Sequence, residues 1–314
     1  MYQELRRTIE QYEKIVILRH VNPDGDAVFS QYALETFLKD NYPLKQIRRG
    51  GKESWDLFGE LEEIPDSFFE GALAVILDTS NVERIDDQRY VLADQIIKID
   101  HHPNHDPFGK MNIVKDSSPA VCALLTEILF SDAFCDLYLS EKACRYLYSG
   151  IVADTLNFRT SNCTAETLDL AARLVQEGDF HMSDVADEIF VKSKEEFRQV
   201  TELRSLVKFE DRFAYLLLEA EDLKKIGISC SDAKNNVGEF GNIIDVTVWA
   251  IIAWNEEKQC YEASLRSRRG YPVNGIARDL GGGGHANAAG IKDLTPKEVQ
   301  LLIARCRELS LSEM

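Results

Sequence analysis

At 314 residues the chain exceeds one typical domain, and its 45% hydrophobic content is ordinary for a globular protein with a sizeable core. Lys and Arg total 36 against 53 Asp and Glu, and the resulting net charge of −17 argues against a basic track for long duplex nucleic acid while leaving room for a small phosphorylated ligand. The seven cysteines are odd in number, irregularly spaced and without a C-x-x-C pair, as in a reduced cytosolic protein.

The start, Met1-Tyr2-Gln3-Glu4-Leu5-Arg6-Arg7, mixes charges where a signal peptide needs an apolar stretch, and Thr126 and Glu127 interrupt the apolar run Ala120–Phe130. The expectation is a cytoplasmic protein that neither is exported nor meets a membrane. Residues 1–130 alternate strand-like and helix-like patterns: Ile15–Leu18, a helical stretch after Asp26, Ala72–Leu77 and Ile96–Ile99. Short Val- and Ile-rich runs suit strands buried on both faces, and their alternation with helices predicts an α/β fold with a mostly parallel sheet flanked by helices. From Leu139 to Phe190 the pattern is helical. A charged helical connector is expected over 191–210, then a smaller α+β domain over 211–314, with strands at Phe213–Leu218, Val246–Trp254 and Tyr261–Arg266 and helices around Val273–Leu280 and Pro296–Leu309.

Four short acidic and histidine-bearing blocks punctuate residues 1–190: His20-Val21-Asn22-Pro23-Asp24-Gly25-Asp26, Asp78 closing Ala74–Leu77, Asp100-His101-His102 closing Ile96–Ile99, and Asp154 ending Gly150–Asp154. Three of the six histidines fall in them, and a fourth, His285, follows four glycines. In open α/β sheets the ligand crevice lies beyond the carboxyl ends of the strands, where Asp24, Asp26, Asp78 and His101 stand. Pro23 and Gly25 supply the tight turn that lets His20, Asp24 and Asp26 converge. One Asp-Gly-Asp alone reads as a turn and helix cap. Three consecutive ionisable groups ending an apolar strand are costly to desolvate unless paired or metal-bound, and the four blocks together read as a two-metal site. Imidazole and carboxylate ligation without sulfur suits six-coordinate Mn²⁺ or Mg²⁺, the imidazoles favouring Mn²⁺. Such a pair, typically ~3.5–4 Å apart, serves hydrolysis at phosphorus.

In Gly281–Gly284 the absent side chains let backbone N–H groups approach an anion, and Leu265-Arg266-Ser267-Arg268-Arg269 gathers three guanidinium groups in an acidic chain. Arg266, Arg268, Gly282, Gly283, Gly284 and His285 are therefore candidate phosphate-binding residues. Arg48-Arg49 beside Gly50-Gly51 reads as a solvated charged loop.

The ordered set of His20–Ala27, Asp78, Asp100–Pro103, Asp154, Gly281–His285 and Ala288-Ala289-Gly290 resembles the DHH-family phosphoesterases that carry a DHHA1 C-terminal domain. It is most similar to their NrnA-like branch, the bifunctional oligoribonucleases and phosphoadenosine phosphate (pAp) phosphatases. The resemblance implies a DHH catalytic metal-binding domain over 1–190 and a DHHA1 substrate-binding domain over 211–314. It implies that His20, Asp24 and Asp78 hold one cation, that Asp26, Asp78, His101 and Asp154 hold the other, and that Asp78 bridges. Asp100 would orient an imidazole, His102 would face the scissile phosphate, and no side-chain nucleophile is required. Arg266, His285 and the glycines would hold a terminal nucleotide.

The activity so implied is hydrolysis of very short RNA to mononucleotides together with removal of the 3′-phosphate of pAp. The alternatives are a phosphodiesterase of linear or cyclic dinucleotides, an inorganic pyrophosphatase of the related metal-site family, and a non-catalytic nucleotide-binding regulator. Nothing in the residues specifies a homodimer. One departure stands out: relatives usually carry glycine where this chain has Phe29, whose spacing with Ala33 and Phe37 predicts a core-facing stripe.

Overall fold

The computed structural model describes residues 1–51 and 61–312. The chain divides into two compact units, Met1–Val191 and Lys192–Met314. In the first, α1 (Tyr2–Gln11), β1 (Lys14–Leu18), α2 (Gly25–Asn41), β2 (Gln46–Arg49), the single turn α3 (Asp66–Phe69), β3 (Ala72–Leu77), β4 (Gln95–Asp100) and β5 (Met111–Val114) precede four helices. These are α4 (Val121–Leu129), α5 (Glu141–Asp154), α6 (Ala165–Gly178) and α7 (Met182–Phe190). The strands lie in the order β2-β1-β3-β4-β5, and every pairing is parallel.

The apolar runs behave as their composition requires. Ile15, Ile17, Val75, Leu77 and Ile97 join α2, α4 and α5 in one core cluster, and Val16, Leu18, Ala74 and Ile76 join Ile64 and Phe69 in another. Alternate residues thus feed opposite faces of a sheet covered on both sides. Phe29, Ala33 and Phe37 all lie in the first cluster, so the Phe29 ring fills core space.

The expected loop at Arg48-Arg49 is instead the end of edge strand β2. Arg49 pairs with Glu35 and its guanidinium lies 3.5 Å from the centroid of the Tyr32 ring, while that of Arg48 lies 4.9 Å from Phe68. Both arginines set their guanidinium groups over aromatic rings at the sheet edge, which a charge count does not reveal. In strand β5 only Ile113 of the four residues is buried.

In the second unit α8 (Lys194–Ser205) is followed by β6 (Lys208–Glu210), β7 (Phe213–Leu218), α9 (Ala220–Ile226), α10 (Cys230–Asn235), β8 (Val248–Asn255) and β9 (Cys260–Ser267). Then come α11 (Asn274–Asp279), β10 (Gly283–His285), β11 (Ala288–Leu294) and α12 (Pro296–Leu311). The sheet order is β10-β11-β9-β8-β7-β6, with β7 and β8 parallel and the other pairs antiparallel. One face packs Phe213, Leu265 and Ile291 against Ile276 and Leu302; the other packs Leu216 and Ile251 against Leu223 and Ala233. Leu203 of α8 belongs to this second cluster.

The glycine run forms a tight hairpin, Gly283 pairing with Gly290 and His285 with Ala288. Its glycines serve packing as well as access. A Cβ at Gly282 would lie 2.2 Å from the Gly290 oxygen, and one at Gly284, where φ is +137°, 2.4 Å from that of Ala288. Among the described residues no helix is long and apolar enough to cross a membrane.

Candidate metal centre

The three adjacent strands β1, β3 and β4 end at one rim of the first sheet, and each delivers a block of acid or histidine there. His20 follows β1, and Asp24 is the N-cap of α2, its Oδ1 accepting from the Ala27 N–H at 3.1 Å. Its Oδ2 lies 3.8 Å from His20 Nε2, so Asp24 caps the helix and faces the histidine at once. Asp78 leaves β3 with φ at +50°, a left-handed conformation uncommon without glycine, and its amide donates to the Ile99 carbonyl. Asp100 ends β4, and Asp154 ends α5.

Gly150 lets α5 come close: a Cβ there would stand 2.1 Å from Cys122 Sγ and 2.9 Å from Asp26 Oδ1. Asp26 itself accepts from the first amides of α4, Val121 N–H on Oδ2 and Cys122 N–H on Oδ1 at 2.9 Å. Those amides are unpaired within the helix, and the positive helix end favours a carboxylate.

Potential ligand atoms gather in three sets: His20, Asp24 and Asp78; Asp26, His101 and Asp154; and Asp78, His101 and His102. Asp78 joins the first and third. Its Oδ2 is 3.4 Å from His20 Nε2, and its Oδ1 is 3.3 Å from His101 Nε2. His101 Nε2 is also 3.6 Å from Asp154 Oδ2. His102 donates from Nδ1 to Asp100 Oδ1 at 2.8 Å, which leaves its Nε2 for other partners.

The electrostatics match a site built for cations. Burial alone would lower the pKa of His20, but Asp24 and Asp78 push it up to about 10. His101 is likewise carried to about 10, against burial, by Asp78, Asp26 and Asp154. Burial, with Asp78 close by, pushes Asp26 up, and burial with Asp26 does the same to Asp154. Burial opposes ionisation of Asp78 too, yet His101 and His20 hold it well below the usual range. Crowded carboxylates thus retain protons that a divalent cation would replace. Among the described residues Asp78 Oδ1 is buried and receives no well-aligned hydrogen bond, and a cation could satisfy it. The donor set, imidazole and carboxylate without sulfur, fits divalent cations held through His20, Asp24, Asp26, Asp78, His101 and Asp154.

On the second unit, register places the anion candidates in one row. Arg266 of β9 pairs with Ala288 of β11, which pairs with His285 of β10, so all three side chains leave the same face of the sheet. Burial lowers the Arg266 pKa, and among the described residues its Nη1 donates only to the neighbouring Leu265 carbonyl. Arg268 stands apart, donating to the carbonyls of Val246 at 2.7 Å and Ile243 at 2.9 Å.

Two side chains at the first site escaped sequence reasoning. Arg84 sits in the 3-10 turn Val82–Arg84 with Nη2 3.2 Å from His20 Nδ1, and no carboxylate among the described residues pairs with it. Nothing in its sequence context marks it. Lys98 lies buried within β4, and a charge inside the run Ile96–Ile99 was the available signal.

A parallel sheet carrying carboxylates and histidines at three adjacent strand ends, followed by a mixed-sheet unit, defines a phosphoesterase-type fold. The chain belongs to the DHH family: residues 14–151 match the DHH family N-terminal domain and residues 210–309 the DHHA1 domain. It is 35% identical over 311 residues to the bifunctional oligoribonuclease and PAP phosphatase NrnA of Bacillus subtilis, covering 97% of each chain. It is 30% identical to the protein of the same name from Thermus thermophilus, covering 92% of this chain and 88% of that one. In fold it is similar to an exopolyphosphatase-related protein from Bacteroides fragilis, with TM-score 0.85 and 23% identity over 98% of this chain and 95% of the other.

Proposed function

We propose that this protein is a two-metal phosphoesterase that hydrolyses very short oligoribonucleotides to mononucleotides and removes the 3′-phosphate of pAp. The observation that carries the reading is the placement of the Asp78 oxygens, one facing His20 and the other His101, as a bridge between two ligand sets requires. The kinship with the Bacillus subtilis oligoribonuclease and PAP phosphatase over nearly the whole chain supports it. When bound, two divalent cations, Mn²⁺ by the imidazole content of the site, would supply Lewis acidity at phosphorus and a nucleophile at neutral pH.

The chain's own residues do the rest. His20, Asp24 and Asp78 would hold one cation, and Asp26, Asp78, His101 and Asp154 the other. Asp100 fixes the ring of His102, whose Nε2 hydrogen-bonds the scissile phosphate. Residues 1–190 form the catalytic domain and 211–314 the substrate domain, which the segment 191–210 enters through α8 and the edge strand β6. There Arg266, His285 and the amides of Gly282–Gly284 bind the phosphate of a terminal nucleotide, and Arg268 steadies the end of β9. Substrates are short RNA and small nucleotides rather than long duplexes. Seven free cysteines support a cytoplasmic location.

The test is Mn²⁺-dependent release of mononucleotide from a labelled RNA dinucleotide by wild type and by Asp78→Ala, with pAp, pyrophosphate and cyclic dinucleotides run alongside. Wild type should cleave the dinucleotide and pAp, and Asp78→Ala neither. Full activity in Asp78→Ala, or none in wild type with Mn²⁺ supplied, would sink the assignment.

A further inference from the structure

Lys98 is the one buried lysine among the described residues, and its side chain has no exposed surface. An ammonium taken out of water is costly unless its donors are satisfied, so the position calls for a reason. Lys98 and Asp100 stand two residues apart on β4 and leave the same face of the strand, opposite to core residues Ile97 and Ile99. Lys98 Nζ donates to the carbonyls of Ser80 at 2.8 Å and Asp106 at 3.2 Å, and lies 3.3 Å from Asp100 Oδ2. The Phe108 ring stands beneath it, 4.8 Å away. One ammonium therefore ties together the turn after β3, the end of β4 and the loop leading to β5.

Each tie bears on the metal centre. Among the described residues Asp100 Oδ2 has no hydrogen-bond donor, so Lys98 is its partner by charge, while Oδ1 accepts from the His102 amide and Nδ1. Ser80 lies two residues beyond Asp78, whose left-handed backbone persists only where its surroundings over-determine it. The bonds that do so are Asp78 N–H to the Ile99 carbonyl, the Thr79 hydroxyl to the Leu77 carbonyl, and Lys98 to Ser80. Asp106 extends the brace, accepting from the Val82 amide at 3.1 Å at the start of the turn that carries Arg84.

We infer that Lys98 is a positioning residue that, through Asp100 and the Ser80 carbonyl, sets the orientation of the His102 ring and of the Asp78 carboxylate; this rests on the hydrolase reading above. Lys98 touches no substrate. Its removal should alter turnover more than substrate affinity.

The experiment compares wild type, Lys98→Met and Lys98→Met/Asp100→Asn in the full chain. With Mn²⁺ and a labelled RNA dinucleotide, Lys98→Met should lose kcat on the order of tenfold or more, with KM within about twofold. In metal-free, histidine-¹⁵N-labelled protein, the His102 ring signals, assigned by their absence in His102→Gln, should show protonated Nδ1 in wild type and lose that bias in Lys98→Met. The double variant removes the buried unpaired carboxylate, should recover the Tm lost in the single one, and should still turn over slowly. Wild-type kcat in either folded variant, or unchanged His102 signals in Lys98→Met, overturns the inference. Should wild type itself fail on the dinucleotide, the hydrolase reading falls and the His102 signals alone decide the role of Lys98.

Discussion

Nε2 of His20 stands 3.4 Å from Oδ2 of Asp78, two groups 58 positions apart in sequence that meet because β1 and β3 are hydrogen-bonded neighbours ending at the same level. Their proximity raises the histidine pKa and lowers that of the aspartate, and the second imidazole, His101, repeats the relation on the other oxygen.

The first prediction follows from those shifts. In metal-free protein at pH 7 the raised His20, His101 and Asp154, and in part Asp26, carry protons that a cation must displace. Mn²⁺ binding should release protons and weaken as pH falls from 8 to 6. Isothermal titration in buffers of different ionisation enthalpy measures this release. An observed enthalpy independent of the buffer would contradict it.

The glycine hairpin separates packing from ligand contact. A Cβ at Gly283 meets nothing within 4 Å, whereas Gly284→Ala meets the Ala288 oxygen in a left-handed conformation. Gly284→Ala should therefore lower stability by about 1 kcal/mol or more, and Gly283→Ala should leave the Tm intact or slightly raised. If the Gly283 amide approaches a phosphate, Gly283→Ala should raise KM for the dinucleotide roughly tenfold. A wild-type KM in Gly283→Ala would remove this glycine from the binding site.

A third prediction concerns the second unit alone. Glu262 is buried, pairs with Lys234 and Lys258, and accepts from Asn255; burial opposes its ionisation, but the two lysines bring its pKa down to about 2. A carboxylate depressed in the folded state adds stability that is fully present above its unfolded pKa, near 4.5, and is lost as pH falls toward about 2. Wild type should exceed Glu262→Gln by roughly 2–3 kcal/mol at pH 7, shrinking below pH 5. Urea unfolding at pH 7, 5 and 3.5 reads the difference, and a gap constant across that range would refute the pairing.

Much of this molecule was legible in its residues, for identifiable reasons. Ala72–Leu77 is the same strand in sequence and in space because six consecutive apolar residues have no other stable home than a sheet covered on both faces. The helix after Asp26 was marked by the Asp-Gly-Asp cap, and the stripe of Phe29, Ala33 and Phe37 does face the core. What escaped were elements whose residues carry no periodic signal: the edge strand β2 with its two arginines, the single buried Ile113 of β5, and the glycine strand β10.

By itself the sequence determined the parallel α/β architecture, the smaller α+β unit after it and the identities of the acids and histidines at the strand ends, since these follow from local polarity and turn chemistry. Only the tertiary structure decided the relations among them. Strand order brings His20 and His101 to opposite oxygens of Asp78, and register aligns Arg266, Ala288 and His285 in one row. Gly150 lets α5 approach Asp26, and burial turns Lys98 from an interruption in a strand into a brace behind Asp100. Distances between side chains remote in sequence depend on which strands pair and which helices touch, and no local pattern of residues encodes that.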